Sequence, residues 1–230
     1  YNNKTIYWNN DFGLNILLNI YSKNKWKIYC YHFDLDNILP KNKVYENYAR
    51  IMRFAVHLPV FKFLEIKKKY YLLHGSAILN DHKSNLFLGL NKVGKSTLSK
   101  YLVNNLKAKY ISDNFIITDG KYVYPFIEKL RLDKKSITFL KINKNKDHFL
   151  YNKHHIDISK DSTKDKVKIK NIFIISNSHK FSIDKITNQQ AKIIIKNINY
   201  LLKEFPEFNY LCLVDFLINK NLCELLIIKI

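Results

Sequence analysis

An α/β fold, a mixed β-sheet core with flanking helices, is what this sequence predicts. Three observations carry that reading. From Tyr70 to Tyr124, short apolar runs alternate with a single stretch of helical period. Two of the five glycines, Gly89 and Gly94, bracket a turn between one such run and that helix. A second amphipathic pattern, from Thr187 to Phe205, sets Ala191, Ile194, Ile195, Ile198, Leu201 and Leu202 in one stripe, with Thr187 placed to cap it. The chain has 230 residues, 47% of them hydrophobic and 14% aromatic, enough for one sizeable core.

The elements follow in order. Residues 1–66 read as an N-terminal α/β lobe packed on a core formed by residues 67–230, the two making one compact domain. Within the lobe, aromatic and β-branched residues cluster in strand-like runs such as Trp26 to Phe33. Residues 43–66 carry a helical pattern with Tyr48, Ile51, Met52, Phe54, Ala55 and Val56 on or near one face, and Pro59 is expected to end or kink that helix. In the core, Tyr70 to Leu79 reads as a strand and Asn85 to Leu88 as a short buried one. Lys95 to Leu106 reads as a helix with Leu98, Tyr101, Leu102 and Leu106 at helical spacing. Tyr110 to Ser112 is a strand expected to end on Asp113, and Asp119-Gly120 signals a hairpin between Phe115–Thr118 and Tyr122–Tyr124. Residues 141–170 are rich in Lys, Asn and Asp without a clean period, so loops of poor order that include a short strand are expected there. Asn171 to Ser176 is a strand. The greasy stretch from Leu211 to Ile230 is broken by Asp215, Lys220 and Glu224, which suits core elements better than a membrane span.

The turn between the short strand and the helix carries the chemistry. Gly89-Leu-Asn-Lys-Val-Gly94-Lys95-Ser96 fits G-x-x-x-x-G-K-[ST], the phosphate-binding loop. Glycine at both ends allows backbone conformations and close approaches that a Cβ would obstruct. The backbone N–H groups of Asn91, Lys92, Val93 and Gly94 can then face phosphate oxygens at the positive end of the helix. Lys95 offers a point charge, and the Ser96 hydroxyl, followed by Thr97, a ligand for Mg²⁺. A loop that holds phosphates does not say where a phosphate goes. Asp113, after the next strand, stands where it could orient an acceptor hydroxyl or support the metal, although a lone Asp before Asn is ordinarily a turn residue. Asp215 ends a similar apolar run but falls at helical spacing with Tyr210, Val214 and Leu217. A lone histidine in an apolar strand, His74, is ordinarily a hydrogen-bonded core residue. His154 and His155 lie in the lysine-rich stretch and read as solvated.

Composition narrows the partners. The formal net charge is +20, yet only Arg50, Arg53 and Arg131 among the 39 basic residues are arginine. Readers of nucleic acid rely on the bidentate guanidinium, so the excess of lysine disfavours a dedicated nucleic-acid role and favours an acidic partner or a codon bias. Cys30, Cys212 and Cys223 are widely spaced and suit free thiols in a reducing cytoplasm.

Taken together, His74-Gly-Ser-Ala, Gly89-x4-Gly-Lys-Ser-Thr-Leu, Ile111-Ser-Asp-Asn, Tyr124-Pro125 and Leu130-Arg-Leu132 resemble the catalytic core of HPr kinase/phosphorylase. They resemble still more the shorter HPr-kinase-like proteins of peptide-modification gene clusters. The likeness covers about residues 55 to 135. It implies a phosphoenolpyruvate-carboxykinase-like P-loop core that binds ATP and Mg²⁺ through Gly89, Gly94, Lys95, Ser96 and Thr97. It places His74 and Asp113 at the transfer centre, Ser96 and Asp113 beside the metal, and Arg131 against phosphate or acceptor. The activity implied is that of an ATP-dependent serine/threonine kinase acting on a hydroxyl-bearing or acidic peptide or small protein, cytoplasmic and homo-oligomeric as the family often is. Two departures stand out: Asn114 replaces the second Asp of the family's pair, and Asn91-Lys92 replaces Ser-Gly in the loop. They leave open a catalytically silent nucleotide-binding partner protein. The charge leaves open a basic P-loop NTPase acting on nucleic acid.

Overall fold

A computed structural model describes residues 4–9, 15–22, 25–31, 56–68, 70–142, 148–150, 153–201 and 224–229. The chain divides into two compact units, Tyr1–Lys69 and Tyr70–Ile230. In the first, β1 (Lys4–Asn9), β2 (Asn15–Ser22) and β3 (Lys25–Tyr31) form an antiparallel meander in which Leu18 stands between Ile6 and Ile28. Helix α1 (Leu58–Lys68) carries Pro59 as its second residue, and helical backbone reaches back through residues 56–57 as a wider π-type turn, so the proline does not end the helix. The rest of the predicted helix before residue 56 lies outside the described residues.

The second unit runs β4 (Tyr71–Asn80), β5 (Lys83–Leu88), α2 (Lys95–Leu106), β6 (Lys109–Thr118), β7 (Tyr122–Tyr124), β8 (Leu130–Leu132), α3 (Lys134–Phe139), β9 (His148–Leu150), β10 (Lys153–Ile156), β11 (Val167–Ser176), β12 (Ser182–Lys185), α4 (Asn188–Leu201) and β13 (Glu224–Lys229). Among the described residues, seven strands form one mixed sheet in the order β12-β13-β11-β5-β4-β6-β7. Strand β11 is parallel to β5 and β13, and the other neighbours are antiparallel. The start of β11 also pairs with β7, Val167 opposite Val123. A smaller sheet, β8-β10-β9, stands beside it.

Both faces of the central strands are covered. Leu86 and Leu88 of β5 join Leu73, Ile116, Ile172 and Ile174 in a core closed by Ala191, Ile195 and Ile198 of α4. Phe87, between them, points the other way, into a cluster with Ile78, Val103, Tyr110, Leu130, Leu132 and Ile137. Burying each such side chain contributes about 1.5–3 kcal/mol, and the period-2 alternation sends successive residues to opposite cores. Thr187 caps α4 as predicted: its hydroxyl accepts from the Gln190 amide at 3.2 Å. Among the described residues, no helix is long and apolar enough to cross a membrane.

Four expectations need correcting. Strand β6 does not end at Asp113. The chain takes a left-handed step at Asn114 (φ 72°), where the Ser112 hydroxyl bonds the Phe115 carbonyl, and continues paired to Thr118. In α2, Tyr101 and Leu106 are exposed, whereas Lys95, Ser99 and Val103 face inward. The turn at Gly94 aims Lys95 into the protein, and residues four and eight positions on follow it. The lysine-rich stretch 141–170 holds two short strands, β9 and β10, and the beginning of β11. His154 and His155 are half-buried in β10, paired on both sides, not solvated.

Candidate active site

The turn from β5 into α2 is built around its two glycines. Gly94 caps α2 at φ 92°, a left-handed conformation that favours glycine, and no side chain caps the helix. The first N–H groups of α2 are therefore left for a ligand. A Cβ on Gly89 would stand 2.6 Å from the Ile175 carbonyl oxygen, so the turn can sit this close to β11 only without one. Lys92 holds φ 65°, the conformation for which glycine is the easy residue. The bend of the loop is thus kept although a lysine occupies it.

Lys95 folds back under this turn. Its ammonium donates to the carbonyls of Gly89 at 2.9 Å and Leu90 at 2.7 Å. It is only 7% exposed, and burial lowers its pKa to about 8; the Asp113 carboxylate opposes that shift and Lys153 adds to it. Ser96, next on the helix, donates to Oδ2 of Asp113 at 3.1 Å. Thr97 shares a 2.7 Å hydrogen bond with Ser136 of α3, tying the two helices together.

Asp113 is 2% exposed. Its Oδ1 is buried with no hydrogen-bond partner; the nearby Ser76 hydroxyl donates to the Ser112 carbonyl at 3.4 Å instead. Burial raises its pKa, and the Ser96 and Ser76 hydroxyls, Arg131 and Lys95 hold the shift back. The β4–β6 ladder decides what surrounds it: Ser76 lies opposite Asp113, Gly75 opposite Asn114 and His74 opposite Phe115. The His74 ring meets Phe115 edge-on at 6.4 Å. Asn114, in its left-handed step, reaches Glu128 through Nδ2 at 3.4 Å. Asparagine, like aspartate, tolerates that conformation better than most residues.

These groups open on a cleft of ≈ 530 Å³. Of the residues singled out from sequence, His74, Asn91, Lys92, Gly94, Lys95, Ser96, Thr97, Asp113 and Arg131 line it. Gly89 and Val93 are not among its lining residues: Gly89 supplies a carbonyl to Lys95, and Val93 packs against the core beneath. Asp215 lies outside the described residues. Sequence reasoning passed over Ser76, although it stands within the His-Gly-Ser-Ala run. It also missed Asp133, Ser136 and Lys153. Asp133 caps α3, accepting from the Ser136 amide at 2.8 Å, and a D-x-x-S pattern before an apolar residue was the available signal. Lys153 carries no local signal at all.

No family model and no curated protein matches the sequence. Among solved structures, the chain is similar to the Hpr(Ser) kinase/phosphatase from Coxiella burnetii, with a TM-score of 0.33 and 11% identity over 69% of this chain and 84% of that one. A likeness that shallow transfers no function, and the cleft has to speak for itself.

Proposed function

We propose that this protein is an ATP-dependent phosphotransferase that moves the γ-phosphate of ATP to a hydroxyl, that of Ser or Thr on a peptide or small protein. The observation that carries this reading is the environment of Asp113. A buried carboxylate with one oxygen held by Ser96 and the other unpartnered lines the same cleft as an uncapped helix start and Lys95. Leaving a buried acceptor unsatisfied costs about 1–3 kcal/mol, and an O–H donated by an acceptor substrate would remove that cost.

In this reading the amides of the turn and Lys95 gather the phosphate charge, with Gly89, Asn91, Lys92, Val93, Gly94, Ser96 and Thr97 forming the nucleotide site. The acceptor hydroxyl donates to Asp113 Oδ1. Its oxygen bonds to the γ-phosphorus, the bond from that phosphorus to the β–γ bridging oxygen breaks, and the hydroxyl proton passes to Asp113. The products are ADP and a phosphate ester. Such catalysis is mostly positioning and charge neutralisation. His74 and Arg131 border the acceptor side of the cleft.

Among the described residues, no cluster of three or more His, Cys, Asp or Glu could cage a metal. Mg²⁺ needs no such cage, since it is usually held by one or two carboxylates together with phosphates and water. The Ser96 hydroxyl and the Asp113 oxygen it bonds fit that donor set, and the ion would neutralise phosphate charge when bound. Incubation with γ-labelled ATP, Mg²⁺ and a Ser/Thr peptide library tests the reading. Labelled peptide that disappears in Asp113→Asn is the expected result. Nucleotide binding with no labelled acceptor would favour the silent binding protein instead, and no nucleotide binding would remove both.

A further inference from the structure

One wall of the cleft comes from the small sheet. Strand β8 pairs with β10 so that Leu130 faces Ile156, Arg131 faces His155 and Leu132 faces His154. Alternation therefore puts Leu130, Leu132, His154 and Ile156 on one face, and Arg131, His155 and Lys153 on the other. Leu130 and Leu132 are 0% and 2% exposed, which fixes the register. A one-residue slip would put both leucines into the cleft. Arg131 and Lys153 are thereby committed to the cleft, and both line it.

Among the described residues, no hydrogen bond or ion pair within 4 Å engages either side chain. Lys92, at the bend of the phosphate-binding turn, adds a third cation to the same cleft. Burial lowers the pKa of Lys153, and the fields of Arg131 and Lys92 lower it further while Asp133 and Asp113 oppose them. Cations gathered on a partly desolvated wall repel one another until an anion joins them.

We infer that Arg131 and Lys153 form a second anion subsite, separate from the phosphate-binding turn, which recognises a carboxylate or phosphate carried by the acceptor close to its reacting hydroxyl. This rests on the phosphotransferase reading above and narrows its substrate. The acceptor presents two features at once, an O–H for Asp113 Oδ1 and an oxyanion for the β8–β10 wall. A Ser or Thr flanked by acidic residues has both, and so does a free hydroxy-acid.

Two measurements on the full chain separate the failure of this inference from the failure of its premise. The first titrates inorganic phosphate into protein already saturated with ADP and Mg²⁺. Phosphate is expected to bind, and Lys153→Gln and Arg131→Gln should each weaken it about tenfold, the loss of one charge-assisted contact. ADP affinity should stay unchanged in both variants. Phosphate binding indifferent to both substitutions, or no phosphate binding, overturns the subsite. A parallel loss of ADP affinity overturns it as well, because the two cations would then serve the nucleotide. If the wild-type chain binds no ADP, the phosphotransferase reading falls, yet phosphate binding lost in both variants still supports the anion subsite. The second measurement compares labelling, from γ-labelled ATP, of serine peptides with Asp or with Lys flanks. A preference for Asp flanks that collapses in Lys153→Gln supports the acceptor assignment, and equal labelling of the two peptides overturns it.

Discussion

Ser96 and Asp113 meet through a 3.1 Å hydrogen bond that joins the first turn of α2 to the middle of β6. The bond ties the turn proposed to hold phosphate to the carboxylate proposed to handle the acceptor, so the two halves of the proposed chemistry share one anchor. Ser96→Ala should leave Asp113 without this donor and destabilise the ligand-free fold by about 1–2 kcal/mol in urea denaturation. The same variant should lose the Mg²⁺ dependence of nucleotide binding, measured by titration with and without the ion. A variant as stable as wild type and equally responsive to Mg²⁺ would sever the link between turn and carboxylate.

Asp113→Asn separates function from stability. Transfer should fall about 10²–10⁴-fold, the usual cost of removing a general base, while nucleotide affinity persists. The ligand-free variant should also melt a few degrees higher, since a buried charge that burial disfavours has gone. The sign follows from the direction of the shift. The folded state holds the Asp113 proton to higher pH than the unfolded state does, so wild-type stability declines as pH climbs from the ordinary carboxylate range through the raised value. Melting curves across that window should lose this contribution in the variant.

Burial lowers the pKa of Lys95 from its ordinary 10.5 to about 8. Between these two values the unfolded chain binds the proton that the folded chain releases, so ligand-free stability should rise with pH across that window. Phosphate favours the charged ammonium, so nucleotide binding at a pH just above 8 should take up a proton. Calorimetric titrations in buffers of different ionisation enthalpy would read that uptake, and Lys95→Ala should abolish it together with most of the affinity. Binding enthalpies that do not vary with the buffer would contradict the place given to Lys95.

Gly75 and Gly94 should respond differently to alanine. At Gly75 the new Cβ would lie 2.6 Å from the Phe87 carbonyl oxygen, 2.7 Å from Leu88 Cδ2 and 2.9 Å from Ile116 Cδ1. Two strands and the central core would have to shift, a loss of about 1–3 kcal/mol. At Gly94 nothing lies within 4 Å, but the backbone stands at φ 92°. There the cost is conformational strain of about 1–2 kcal/mol, felt at the phosphate-binding turn. Gly75→Ala should lower the melting temperature with nucleotide affinity retained in the folded fraction, whereas Gly94→Ala should weaken nucleotide binding even where the fold persists.

The glycine-bracketed turn, the strand before it, the helix after it and the capped helix α4 were all legible in the sequence. Each is written in neighbouring residues: glycine spacing, an apolar run, a hydroxyl three positions before Gln190. Short-range rules act within one or two turns of chain, and those rules were enough. The place of Asp113 was legible only in part. Its nearness to the turn could be inferred, but that β6 runs on past it depends on a left-handed step at Asn114 and on pairing with β4, which no local pattern shows.

Tertiary structure alone decided which face of α2 turns inward and what forms the second wall of the cleft. Tyr101 and Leu106 satisfy a helical stripe as well as Ser99 and Val103 do, and the anchoring of Lys95 beneath its own turn chose between them. Lys153 sits in a stretch whose composition says loop. Only its place in the β8-β10-β9 sheet, opposite Leu150 and in a register locked by the burial of Leu130 and Leu132, makes it a strand residue facing the cleft. Sequence by itself determined the turn proposed to hold a phosphate, because that turn is continuous in the chain. What stands across the cleft from it was decided by strand register between distant segments, because side chains there are aimed by the core behind them.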